Sequence, residues 1–156
     1  MKKLLVLAIS MISATTMATE GKKNEEPKAF DGKPAVALRV IDFSGKAPRV
    51  IKGNKLSISK KQQLCWSSIN VPVSGKVRVA EAFYAPAATN FSSPGMTINA
   101  SADKKEFLIV GDVVATNNEH VTRCWQFDSK DPIGAYRMEV QIGDVVFKNL
   151  AFELVK

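Results

Sequence analysis

The sequence predicts an all-β domain, and three observations carry that prediction. From residue 36 onward apolar residues alternate with polar ones at a period of two through most runs, and Gly, Pro, Asn and Asp mark short turns between them. Nowhere do apolar residues recur at helical spacing over three turns with caps. About eight such strands, within a range of seven to nine, suit an antiparallel sandwich or barrel.

The chain opens with Met1-Lys2-Lys3, an almost wholly apolar run from Leu4 to Ile12, and small residues at Thr16-Met17-Ala18. This is the pattern of a secretory signal peptide, residues 1–18. The run is shorter than the roughly 20 residues that span a bilayer, and no later stretch of that length escapes a charge or a glycine. The mature protein is therefore expected to have no transmembrane segment. Residues 19–35 combine Gly, Lys, Asn, Glu and Pro with one aromatic, Phe30, too little apolar surface to offset ordering, and read as a flexible charged leader.

The domain, residues 36–156, begins where Val36, Leu38 and Val40 alternate with Ala37 and Arg39. A short run, Lys55 to Ser59, follows the Gly53-Asn54 turn signal, and Leu64 to Val71 comes next. Lys76 to Tyr84 is a stronger strand, with Val77, Val79 and Phe83 on one face; Glu81 interrupts that face and suggests a bulge or strand end. Phe107 to Ala115 is apolar on both parities, as a central strand would be, with Gly111-Asp112 as a break. Val121 to Phe127 precedes Asp131-Pro132-Ile133-Gly134, which suits a type I turn. Tyr136 to Ile142 alternates strictly, Gly143-Asp144 makes a two-residue hairpin connection, and Val145 to Val155 returns. These last three strands are expected to pair consecutively.

Cys65 and Cys124 are the only cysteines, and in an exported chain they can pair. Closing so long a loop stabilises by roughly 4 kcal/mol in the chain-entropy model. Two free buried thiols are the alternative.

Formal net charge is +7, and the excess lies early: residues 19–61 hold eleven Lys and Arg against five Asp and Glu, and 62–156 hold nine against ten. Lys46, Arg49, Lys52, Lys55, Lys60 and Lys61 follow one another with no acidic residue between. Such a stretch can face a polyanion such as lipopolysaccharide, another polysaccharide or nucleic acid, the last disfavoured. Its plainer reading is a solvated sheet edge whose lysines discourage strand pairing.

Cys65-Trp66, Cys124-Trp125-Gln126-Phe127 and the Asp131 to Tyr136 segment resemble the immunoglobulin-like or macroglobulin-like sandwich modules of bacterial surface and periplasmic proteins. In those modules an Asp-x-x-Gly-x-Tyr turn leads into a closing hairpin. The resemblance covers residues 36–156 and implies an immunoglobulin-like β-sandwich, without naming an activity. Here each Trp follows its Cys directly, so the two cannot share a face of a regular strand. Trp125 shares parity with Val121 and Phe127, and Trp66 with Leu64; the tryptophans are expected inside and the disulfide outside or at a rim. In the rival layout the disulfide is buried and the indoles form an exposed patch.

Residues for catalysis are sparse. His120 is the sole histidine, whereas zinc or copper needs several ligands. Ser67 or Ser68 with His120 and Asp112 is a triad in arithmetic only, because no nucleophile elbow accompanies it. No phosphate-binding glycine loop occurs. The expectation is a protein without enzymatic activity, metal or cofactor, with a small hydrolase or redox protein as the minor alternative. The segment from Tyr84 to Gly95 is long for a sandwich connection and presents Tyr84, Asn90 and Phe91, the candidate contacts for a protein or cell-envelope polymer. Its alternative is a crossover with Phe91 tucked onto the core. Taken together, these residues indicate a periplasmic or secreted bacterial binding or accessory module that uses loops or a sheet edge.

Overall fold

The computed structural model describes residues 30–156; residues 1–18, read from sequence as a signal peptide, and residues 19–29 of the expected leader lie outside them. Ten strands occur among the described residues: β1 (Ala35–Asp42), β2 (Arg49–Ile51), β3 (Lys55–Ser57), β4 (Gln62–Ile69), β5 (Lys76–Tyr84), β6 (Thr97–Ala100), β7 (Glu106–Val114), β8 (Thr122–Gln126), β9 (Gly134–Ile142) and β10 (Val145–Val155). They form two sheets, ordered β2-β1-β4-β8 and β3-β10-β9-β5-β7-β6. The fold is an all-β sandwich, with two strands, β2 and β6, beyond those periodicity finds. Both are short, three and four residues, and lie at sheet edges where neither face must be wholly apolar.

Pairing is antiparallel except where β3 runs parallel to the end of β10. The hairpin of β9 and β10 closes through Gly143-Asp144, where Gly143 takes a φ of 56° that suits the first central position of a II′ turn. The expected run of three consecutive strands is corrected: β8 pairs with β4 in the smaller sheet, and β9 has β5 as its other neighbour. The segment after β8 crosses between sheets, and Phe127 within it packs on Tyr136 with ring centroids 5.9 Å apart.

The turn in that crossing also differs from expectation. The Asp131 N–H donates to the Asp128 carbonyl (3.1 Å), so Asp131 ends a turn instead of starting one. Its carboxylate is committed backward as well, accepting from the Asp128 N–H and the Thr89 hydroxyl, both at 2.9 Å. The Tyr136 hydroxyl then donates to the Pro132 carbonyl (2.8 Å).

The core is what parity dictates. Leu64 and Trp66 of β4 and Trp125 of β8 point inward against Val79 and Phe83 of β5 and Met138 and Val140 of β9, all buried. Burial of this apolar area is the main stabilising term, at roughly 25 cal/mol per Å². Cys65 and Cys124 face the other way and are bonded across a directly opposed rung of β4 and β8, with Cα atoms 4.0 Å apart. Cys124 is exposed on the edge strand, and Cys65 is buried beside Arg39 of β1.

Glu81 overturns the expectation of a bulge. β5 pairs with β7 and β9 residue by residue through position 81, and the side chain points into the core, wholly buried. Its Oε1 accepts from both indole N–H groups, Trp66 at 2.6 Å and Trp125 at 2.8 Å, and its Oε2 accepts from Arg123 Nε at 2.8 Å. Every donor belongs to the smaller sheet and the acceptor to the larger one, so the carboxylate links the two layers. The irregularity in the larger sheet lies in β10, where register shifts between Phe147 and Leu150 and Asn149 adopts a φ of 60°. Nor does Gly111 break β7: it faces inward, and the Met96 thioether occupies the space a Cβ would need.

Candidate functional site

The solvent face of an antiparallel sheet is normally polar, because alternation sends apolar residues inward. The outer face of the six-stranded sheet departs from that rule. Outward positions of β5 are Ala80 and Ala82, and Ala135 of β9 and Ala151 of β10 continue the same surface. Alanine is depleted in strands, so strand propensity does not account for four of them. Their short side chains leave a low floor between taller apolar residues. Leu108 of β7 and Val146 of β10 stand on it 46% and 47% exposed.

The floor has polar ends built from cross-strand pairs. At one end Arg78 of β5 bonds Asp112 of β7 (3.2 Å); at the other Arg137 of β9 lies over the Tyr84 ring, 5.1 Å from its centroid. Towards the edge Lys55 of β3 pairs with Glu153 of β10 at 2.9 Å. Three shallow depressions, of about 370, 360 and 110 Å³, cross this face, and the first and third meet at Ala82 and Leu108. They are open troughs rather than enclosed chambers, a shape that fits a protein surface better than a small molecule.

Residues 36–155 match a family model described as PM0630 beta sandwich domain. The chain belongs to that family. It is also similar to Uncharacterized protein PM0630 of Pasteurella multocida (strain Pm70), 36% identical over 162 residues that take in all of both chains.

Within the PM0630 beta sandwich domain, the residues singled out by sequence fall in separate places. Tyr84 lies at the end of the alanine floor. Asn90 is exposed and accepts from Lys104 Nζ at 3.4 Å. Phe91 is half-buried at the end of the core, its ring centroid 4.7 Å from Phe83, 4.8 Å from Phe107 and 5.4 Å from Trp125. The loop from Tyr84 to Gly95 is thus fastened along its length: Thr89 bonds Asp131, and the Ser93 hydroxyl accepts from Arg123 Nη2 at 3.2 Å. Phe91 spends its ring on the core and leaves Tyr84 as the loop's aromatic on the outer face.

The basic residues are spread over the β1–β2 loop (Lys46), β2 (Arg49), the β2–β3 connection (Lys52), β3 (Lys55) and the β3–β4 turn (Lys60 and Lys61). All six are exposed; Arg49 lies 4.0 Å from Asp42 and Lys55 holds Glu153. Ser67 shares a hydrogen bond with Thr122 on the outer face of the smaller sheet, Ser68 accepts from the Val121 N–H, and Asp112 lies on the outer face of the larger sheet. These groups do not converge. His120 is half-buried beside Thr116 in a one-rung bridge. Among the described residues no group of three His, Cys, Asp or Glu is placed to hold a metal ion.

Sequence reasoning missed Leu108, Ala80, Ala82 and Val146. The signal was present in β7, whose apolar residues on both parities read as burial on both sides. β7 does lie between β5 and β6, yet only one of its faces is covered.

Proposed function

We propose that this chain is an exported, non-enzymatic binding or accessory module of the periplasm or the bacterial cell surface, and that it docks a protein on the outer face of its six-stranded sheet. The single observation that carries this reading is the alanine floor with Leu108 and Val146 exposed upon it, an apolar surface where water should find polar side chains. Its rim mixes signs, with Arg78, Arg137 and Lys55 beside Asp112, Glu139 and Glu153. A surface of mixed charge complements another protein and gives little purchase to a uniformly charged polymer. Export accords with the signal-peptide pattern, and a disulfide persists in an oxidising compartment. The immunoglobulin-like or macroglobulin-like likeness belongs to this reading too: the Tyr136 hydroxyl on the Pro132 carbonyl resembles the tyrosine corner of such sandwiches.

The test uses the processed chain immobilised against envelope extract, beside Leu108→Glu and Val146→Glu variants. A protein that the native chain retains should be lost by at least tenfold from both variants and kept by Lys60→Ala. Equal retention by all of them would remove the sheet face from the reading. Self-association in sedimentation, abolished by the same two variants, would make the occupant a second copy and overturn the separate partner.

A further inference from the structure

The β1–β2 loop and the β3–β4 turn meet at one end of the smaller sheet, where the Phe43 N–H donates to the Lys61 carbonyl at 2.8 Å. This contact brings together residues that sequence alone leaves apart. Phe43, 40% exposed, borders a cleft of about 280 Å³ whose other walls are Lys61, Gln62, Gln63 and Gln126. Gln63 of β4 and Gln126 of β8 stand directly opposite one another on the outer face, and the next outward rung is the Cys65–Cys124 disulfide. The covalent rung holds the two strands in register, so the pair of amides is presented at a set spacing.

The exposed charge that these two connections contribute has one sign. Lys46 lies in the β1–β2 loop and Lys60 in the β3–β4 turn, both exposed. Edge protection explains Arg49 and Lys55, which lie on the edge strands β2 and β3, but it does not explain lysines placed in turns, off the hydrogen-bonding edge. Asp42, the acidic residue at the end of β1, is buried and engaged by the Ser44 N–H at 2.8 Å, with Arg49 4.0 Å away. Hydrogen bonds from Ser44 hold its carboxyl below the ordinary range, so it stays ionised and its charge is met by Ser44 and Arg49.

We infer that this cleft binds an acidic polysaccharide. Each component matches part of such a chain. An aromatic ring accepts the C–H face of a pyranose, side-chain amides supply donor and acceptor together for neighbouring hydroxyls, and ammonium groups meet carboxylate, sulfate or phosphate substituents. Nucleic acid fits less well, since single strands are held on several stacking rings and Phe43 is the sole strongly exposed large aromatic among the described residues. A membrane surface fits less well again: paired amides recognise directed hydroxyls, which a flat layer of headgroups does not order. The inference is independent of the docking face, which lies on the other sheet.

Affinity electrophoresis of the processed, oxidised chain through gels containing polygalacturonate, dextran sulfate or neutral dextran tests it. Retardation is expected in the two acidic gels and not in neutral dextran. The double variant Lys60→Ala/Lys61→Ala should weaken binding about tenfold or more and flatten its dependence on salt, which screens exposed charges beyond roughly 10 Å at 0.1 M. Phe43→Ala, at an exposed site, should weaken binding several-fold while the salt dependence persists, and Gln126→Ala should do the same from the strand side. Leu108→Glu should bind as the native chain does, which separates failure here from failure of the docking face. Loss in the lysine variant with none in Phe43→Ala and Gln126→Ala would reduce the site to unspecific charge attraction and overturn the inference. So would equal retardation by neutral dextran, or tighter binding to an oligonucleotide or to phosphatidylglycerol vesicles than to either acidic polysaccharide.

Discussion

The core is held in two different ways along its length. Around Glu81 it is held by direction: one carboxylate accepts three charge-assisted hydrogen bonds from the facing sheet, and Arg123 lies over the Trp125 ring at 5.2 Å. Around Phe91 it is held by area. There Phe83, Phe107, Phe127, Tyr136 and Phe152 pack edge-on, tilted or stacked, with Tyr136 and Phe152 5.0 Å apart. Area tolerates small displacements, whereas a buried carboxylate tolerates only the geometry that satisfies it. The polar region thus specifies which face of one sheet meets which face of the other, and the aromatic region supplies most of the adhesion.

Three substitutions sharpen or break this contrast. Glu81→Ala leaves Arg123 and two indole N–H groups without their acceptor, and by the cost of breaking a buried pair it should destabilise by about 3–5 kcal/mol in urea unfolding. A loss under about 1 kcal/mol would mean that the sheets align without the carboxylate. Phe91→Ala removes a half-buried ring, so roughly 2 kcal/mol is expected, below the range for a fully buried aromatic. Because the Phe91 ring packs on Trp125, a local change in the near-ultraviolet circular dichroism is expected. A loss of that signal as large as in Glu81→Ala would make the two regions one cooperative unit and end the comparison.

The smallest effect is expected at Tyr136→Phe, about 1 kcal/mol for the lost bond to Pro132. This variant carries a pH signature. Burial first, and then the Asp131 carboxylate, push the Tyr136 phenol far above its ordinary value. As pH rises past the unfolded value of about 10, the unfolded chain releases this proton while the folded chain retains it, so stability present below that pH is lost above it. Alkaline melting curves should show this decline in the native chain and a shallower one in Tyr136→Phe. Parallel curves would place the ionisation elsewhere.

Much of the fold was legible because alternation is a local property. β5 was readable to the residue, and parity alone placed Trp66 and Trp125 inside and the disulfide outside. Glu81 was readable only as an interruption, since its donors are 15, 42 and 44 residues away in the chain. β2 and β6 are too short to show a period. The candidate surfaces were less legible still. Tyr84 was named for the loop and lies on the sheet face, and Phe43 became adjacent to Lys61 only through a turn-to-loop hydrogen bond.

By itself, then, the sequence determined the longer strands, the inward and outward residues of most of them, and the opposite orientations of cysteine and tryptophan, because each follows from side chains alternating along an extended backbone. The tertiary structure alone decided that β8 joins β4 instead of β9, that a carboxylate sits between two indoles, and that an apolar strand face remains open to water. Those depend on which strands become neighbours, and strand neighbours are chosen by long-range pairing and packing that no short window of residues contains.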